Sequence, residues 1–142
     1  MADFVLHERL AADGIHVGDL PLCRLLLLND RQYPWFILVP RVADIREAFQ
    51  LSPVQQQQLN KESNTLSEAM ALAFRADKMN VAALGNMVPQ LHIHHIARFT
   101  TDAAWPKPVW GVVDAISHSR ESKRSMLASL REQTGDWELD WA

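Results

Sequence analysis

Residues 90–98 read Gln90-Leu91-His92-Ile93-His94-His95-Ile96-Ala97-Arg98, and three of the chain's six histidines fall within this segment. His92 and His94 are separated by one apolar residue. That is the spacing of a β-strand, whose side chains alternate faces with a period of two. Gln90, His92 and His94 are then expected on one side, with Leu91 and Ile93 pointing into a core. A row of polar, hydrogen-bonding side chains on one face of a half-buried strand is how a site is built. By the same alternation His95 belongs to the opposite face and is read as a packed or interface polar.

Moving outward from this strand, Gly85-Asn86-Met87-Val88-Pro89 is a connection, and Pro89 cannot donate to a ladder, so a strand over 90–98 begins after it. Met79–Leu84 reads as another strand. Before it, Ser52 can cap a helix, Pro53 suits its first position, and Gln55 completes a capping box. Leu59, Leu66, Met70, Ala73 and Phe74 follow at helical spacing, predicting an amphipathic helix over 52–76 that covers one sheet face. Leu22–Leu28 is an apolar run of strand length, and Trp35–Val39 a second. The polar turn Asn29-Asp30-Arg31-Gln32 between them predicts an antiparallel hairpin. Residues 3–12 read as a short helix stopped by Gly14.

The last forty or so residues differ in kind. Trp105-Pro106-Lys107-Pro108-Val109-Trp110-Gly111 excludes helix and resists regular strand pairing. This segment can fold over a pocket and stack on a ligand or fill a gap in the sheet, and packing is the preferred reading because aromatics dominate cores by area. A polar helix follows near 120–133. The end, Asp136 to Trp141, alternates acidic and apolar residues and is read as either a docked edge segment or a tail. Helices with mainly antiparallel strands indicate the α+β class. The whole chain, 1–142, is read as a single domain in which 101–142 form a C-terminal extension.

The chain has 142 residues, enough for about one domain with a real core, and 48% of them are hydrophobic. Its net charge of −3 argues against nucleic acid as the main partner, since a phosphate backbone recruits a basic surface. The lone cysteine, Cys23, cannot form an intrachain disulfide and sits in an apolar run as a small buried hydrophobe. The opening Met-Ala-Asp-Phe lacks the basic-then-apolar pattern of a leader, and no apolar stretch is long enough for a bilayer. A reducing, cytoplasmic setting is expected, with no membrane partner.

Neutral imidazole can serve as nucleophile, general base or metal ligand. A zinc site needs a third protein ligand beside His92 and His94, and Cys23, His7, His16 and His118 are candidates by type alone. No Gly-x-Ser-x-Gly elbow and no Gly-x-x-x-x-Gly-Lys phosphate loop is present.

The stretch Gly85–Arg98 resembles the signature of the histidine triad (HIT) family: His-φ-His-φ-His-φ-φ, where φ is apolar, preceded by a short glycine-containing loop. The strand ending in Asn29, the turn, and Trp35-Phe36-Ile37-Leu38-Val39-Pro40-Arg41 resemble the family's nucleotide-contacting hairpin. Its long helix begins where Ser52-Pro53 stand here. The resemblance spans roughly residues 20–100. It implies an α+β fold with about five mainly antiparallel strands packed with helices, and a homodimer. It also implies cleavage at the α-phosphorus of a nucleoside phosphate conjugate, such as a dinucleoside polyphosphate or a phosphoramidate, through a nucleotidyl-histidine intermediate. No metal or organic cofactor is implied. By position, His92 is the nucleophile, His94 contacts phosphate oxygens and helps stabilise the transition state, and Gln90 takes the place of the first histidine. Asn86 falls in the phosphate-contacting loop and Asn29 where the family touches ribose. Apart from the resemblance, Arg98 and Arg41 stand at strand ends as candidate substrate-facing cations.

Three departures stand out. Gln90 cannot titrate where the family has its first histidine. Met87 stands where several members carry a hydroxyl near the leaving group, and His95 where the pattern has an apolar residue. Gln90 and Met87 motivate an alternative in which the chain is a nucleotide-binding module with little catalysis; a metal-binding protein is the third reading.

Overall fold

A computed structural model describes residues 3–135 and 137–142. Six strands form a sheet in the order β4-β5-β3-β2-β1-β6, and every neighbouring pair is antiparallel. The strands are β1 (Gly14–Asp19), β2 (Cys23–Leu28), β3 (Trp35–Pro40), β4 (Lys78–Ala82), β5 (Ile93–Arg98) and β6 (Asp140–Trp141), and the helices are α1 (Glu8–Asp13), α2 (Pro53–Phe74) and α3 (Arg120–Arg131). The α+β expectation holds, with one strand more than anticipated.

The period-two alternation of the central strands divides the interior into two cores. Leu25 and Leu27 of β2, Phe36 and Leu38 of β3, and Ile93 and Ala97 of β5 join Leu59, Leu66 and Met70 of α2 and Leu130 of α3 on one face. Leu26, Trp35, Ile37, Val39 and Ile96 face the other way, against Leu10 of α1 and Ala104 and Val109 of the C-terminal segment. Strands apolar on both faces are what a sheet covered on both sides requires. Cys23 is fully buried in the helix-side core, and burial pushes its thiol pKa up.

α2 begins as anticipated, with Ser52 accepting from the Gln55 N–H and Gln55 returning the bond. On its inner face Glu62, buried, accepts from the Leu22 and Cys23 N–H groups at 2.9 and 2.8 Å. That satisfies two donors at the start of β2 that the ladder leaves open. The hairpin of β2 and β3 is as expected, with Leu26 opposite Ile37.

The first helix, β5 and β1 depart from the sequence expectation, and β4 spans Lys78–Ala82 rather than Met79–Leu84. The first helix spans Glu8–Asp13 rather than 3–12, because the Val5 carbonyl and the His7 N–H are both bonded to the Gln90 side chain. β5 begins at Ile93 rather than 90, because the Leu91 N–H donates to the Ile45 carbonyl. β1 was not anticipated. Its glycines obscure it, and each is required by a close approach: a Cβ on Gly14 would lie 2.8 Å from the Leu10 carbonyl oxygen, and one on Gly18 2.6 Å from that of Asp140.

The C-terminal residues pack on both faces. Residues 114–118 tie down the β2–β3 turn, with the Arg31 N–H donating to the Ile116 carbonyl and the His118 N–H to Asn29 Oδ1, both at 2.8 Å. α3 packs on the α2 side, and Asp140–Trp141 pairs with β1 as an edge strand. Of the two readings of the C-terminus, the docked one is observed; Asp136, at the start of that alternation, lies outside the described residues.

Candidate functional site

His94 and Trp35 project from neighbouring strands β5 and β3 to the sheet face opposite α2, where Ile37 stands directly across from His94. His92 lies one residue before β5. The two imidazoles meet edge to face with centroids 4.9 Å apart, at 71°. They floor a cavity of about 270 Å³, walled by Arg9, Leu10, Asp13 and Gly14 from the α1–β1 junction, Leu28 and Ile37 from the sheet, Met87 and Val88 from the preceding loop, and Trp110. The interior is largely apolar, with a few convergent polar groups, the usual make-up of a small-molecule site.

The hydrogen bond of His92 decides which of its nitrogens can react. Nδ1 lies 2.7 Å from the Gln90 carbonyl oxygen. A carbonyl only accepts, so Nδ1 carries a proton, and in the neutral ring the lone pair is on Nε2. His94 Nδ1 lies 3.0 Å from the Trp35 indole nitrogen. Burial, with the neighbouring His92 and His95, lowers the His94 pKa to about 3, so the His94 ring is uncharged at neutral pH.

His95 faces the other side, as its position in the alternation required. It is fully buried, with Nδ1 3.0 Å from the Ile93 carbonyl oxygen and Nε2 2.7 Å from Ser63 Oγ of α2. Burial lowers its pKa to about 4 despite the bond to Ile93. It is a satisfied core polar that ties sheet to helix.

Gln90 does not share the cavity with the two histidines. It lies outside β5, and its side chain faces the N-terminal segment, with Oε1 accepting from the His7 N–H at 2.8 Å and Nε2 donating to the Val5 carbonyl at 2.9 Å. An amide presents an acceptor and a donor side by side, which lets it pair with an extended backbone. Gln90 therefore acts on the site in two indirect ways: its carbonyl orients His92, and its side chain anchors the segment that leads into the α1 wall.

The other anticipated contacts fall as follows. Asn86 is exposed in the loop before His92, and its neighbours Met87 and Val88 line the cavity. Asn29 spends its Oδ1 on the His118 N–H, while Leu28 beside it reaches the cavity. The expectation that Arg98 faces substrate is corrected. Arg98 is 1% exposed and pairs with Asp102 at 2.8 Å. It also donates to Asn80 Oδ1 and to the Lys107 carbonyl, each at 2.8 Å. A guanidinium with its donors so committed holds the C-terminal segment to the sheet instead of meeting a ligand. Arg41 likewise donates to the Leu20 and Pro21 carbonyls.

Arg9, Asp13 and Trp35 were not singled out from sequence. No motif marks the two α1 residues; their four-residue spacing puts both on one helical face, but only the fold brings that face to the histidines. Trp110 joins the site from the irregular segment, edge-on to His94 at 5.2 Å and to Trp35 at 5.7 Å. It packs against both rings and lines the cavity. Among the described residues, no three His, Cys, Asp or Glu side chains form a group able to hold a metal ion.

The HIT domain family model matches residues 9–101, which run from α1 through β5. The chain belongs to the HIT family. Among solved structures, a histidine triad protein from Marinobacter aquaeolei VT8 is 54% identical with a TM-score of 0.90, covering 93% of this chain and 96% of that one. A histidine triad protein from Bradyrhizobium japonicum is 47% identical with a TM-score of 0.91, covering 93% and 98%. One from Sinorhizobium meliloti 1021 is 47% identical at 0.89, covering 92% and 96%. These alignments extend over most of this HIT protein, so they reach past residue 101 into the C-terminal extension. A search of curated proteins finds no match. In the described part of this HIT protein, no helix is long and apolar enough to cross a membrane.

Proposed function

We propose that this HIT protein binds a nucleoside phosphate conjugate and cleaves it at the α-phosphorus, with His92 as nucleophile. The observation that carries the proposal is the hydrogen bond of His92: Nδ1–H is held by the Gln90 carbonyl, which in the neutral ring places the lone pair on Nε2, at a cavity of about 270 Å³ beside a neutral His94. In the first step Nε2 forms a bond to phosphorus while the bond to the leaving group breaks, and the leaving group departs with the electron pair. The imidazolium so formed keeps its Nδ1–H on the carbonyl, an orientation that stabilises the developing positive charge. In the second step water attacks phosphorus as the P–N bond breaks; the bond's electron pair returns to Nε2, the water gives one proton to solvent, and a nucleoside monophosphate and neutral His92 are released. His94 donates to a phosphoryl oxygen, and the apolar walls Leu10, Leu28 and Ile37 receive the nucleoside. A phosphoanhydride or phosphoramidate fits as substrate class. Asn86 and Asn29 adjoin the cavity-lining residues Met87 and Leu28, from where they would reach phosphate and ribose.

The test is turnover of dinucleoside polyphosphates and nucleoside phosphoramidates by wild type and His92→Ala, together with trapping of a nucleotidyl adduct on His92. Turnover undiminished by the substitution would overturn the assignment. A second reading, a nucleotide-binding module with little catalysis, is favoured by Met87, which is 77% exposed at the cavity and offers no proton to a leaving group. Tight binding of a nucleoside monophosphate without any adduct at His92 would select it.

A homodimer and a reducing, cytoplasmic location complete the proposal. The first is supported by the open edge strand β4, which carries Val81, 49% exposed, and is tested by light scattering on the eluting protein. The second is supported by the single free thiol of Cys23.

A further inference from the structure

His94 differs from His92 in what holds its Nδ1. The Trp35 indole nitrogen is a donor only, and it lies 3.0 Å from His94 Nδ1. That bond exists only while Nδ1 keeps its lone pair, so the proton of the neutral ring sits on Nε2. We propose that Trp35 is a positioning residue that fixes His94 in the Nε2–H tautomer and so makes it an uncharged hydrogen-bond donor beside the nucleophile. The two adjacent imidazoles are thereby set in opposite tautomers: a carbonyl leaves His92 Nε2 as a lone pair, and an indole leaves His94 Nε2 as an N–H. The inference rests on the role of His94 given under Proposed function, and it accounts for how that role is kept constant.

The indole is held well enough to impose this. Trp35 is buried at 6% exposure, with Tyr33 packed edge-on at 6.1 Å and 73°, and Trp110 at 5.7 Å and 89°. Protonating His94 at Nδ1 would set two N–H groups against each other inside this packing. The charged and titratable groups around His94 are His92 beside it, His95 behind the strand, and Arg9 and Asp13 at the cavity wall. Asp13 is the only anion among the cavity-lining residues, and Arg9 stands with it on α1. Burial and the flanking histidines act in the same direction as the indole. His94 is then a donor of constant charge across the working pH range, with no role as a titrating acid.

The test uses protein labelled with nitrogen-15 in histidine, read by long-range proton–nitrogen correlation from pH 8 to pH 4. In the wild type, His94 Nε2 is expected as the protonated nitrogen and Nδ1 as the bare one throughout. Trp35→Phe removes the donor and keeps a ring. A mixed tautomer population is expected, with titration of His94 moved upward by at least about one pH unit and a matching move in the acid limb of kcat. A loss in kcat of about 10-fold with little change in KM accompanies it. If Trp35→Phe does not fold, benzothienylalanine at position 35 replaces the N–H by sulfur at nearly the same size, and the same shifts are expected. A wild-type His94 protonated at Nδ1, or a folded variant that keeps the wild-type tautomer and pH profile, would overturn the proposal. The tautomer is read without turnover, so a protein that shows it yet cleaves no substrate would refute the functional reading and leave this one standing.

Discussion

Gln90→Leu separates the anchoring role of this side chain from any role in the chemistry. Leucine keeps the approximate length and removes both bonds to the N-terminal segment. The bond from the His7 N–H, 2.8 Å and partly buried, contributes about 1 kcal/mol, and the exposed one to the Val5 carbonyl, 2.9 Å, a few tenths. Together they hold the segment entering α1 by roughly 1–1.5 kcal/mol, so their loss raises its opening equilibrium about 5- to 13-fold. Hydrogen exchange of the amides of 9–13 is expected to accelerate by that factor while α2 is unaffected. Because Arg9, Leu10 and Asp13 wall the cavity, KM rises by a similar factor and kcat stays nearly constant. The His92 tautomer is preserved, since its partner is the Gln90 backbone carbonyl. Unchanged exchange in α1, or a fall in kcat with KM unaltered, would refute the anchoring argument and return the Gln90 side chain to the reaction.

Further outcomes follow from the buried polar groups. His94 and His95 have folded-state pKa values lowered to about 3 and about 4 from an ordinary 6.5, so the unfolded chain binds more protons between those values. Stability is therefore full above about pH 6.5 and falls as pH drops toward 4 and below; urea unfolding at pH 7.5 and pH 5 should show it, and His95→Gln should flatten the difference. Glu62→Ala leaves the buried Leu22 and Cys23 N–H groups unpaired and is expected to cost roughly 2–5 kcal/mol; a change under about 0.5 kcal/mol on chemical denaturation would contradict it. Burial alone would raise the Asp102 carboxyl, but Arg98 and the Phe99, Trp105 and Ala104 N–H groups bring its pKa down to about 2 from 3.8, so its contribution is lost only as pH falls through that interval. Asp102→Asn strips the counter-ion from buried Arg98 and is expected to cost about 3–5 kcal/mol at neutral pH, with the C-terminal segment loosened toward proteolysis.

Local chemistry was legible wherever residues near in sequence set it. The Ser52 cap, the apolar runs that became β2 and β3, and the opposed faces of His94 and His95 all followed from spacing, because backbone periodicity fixes which side chains share a face. Alternation failed at Gln90. The rule holds only while the chain stays in the ladder, and the bond from the Leu91 N–H to the Ile45 carbonyl takes residue 91 out of it. β1 was missed because Gly14 and Gly18 serve close contacts with α1 and β6 that have no local signature.

By itself the sequence determined the α+β class, the central hairpin, the long helix and the pairing of His92 with His94. Only the tertiary structure decided what surrounds them: that Arg98 is a buried strut, that Gln90 grips the chain 83 residues earlier, and that an indole 59 residues away from His94 meets its ring nitrogen. The physical reason is the range of the interactions. Strand and helix periods are properties of consecutive residues, whereas a tautomer or a counter-ion depends on which atom happens to lie within three ångströms, and that is settled only when distant segments pack.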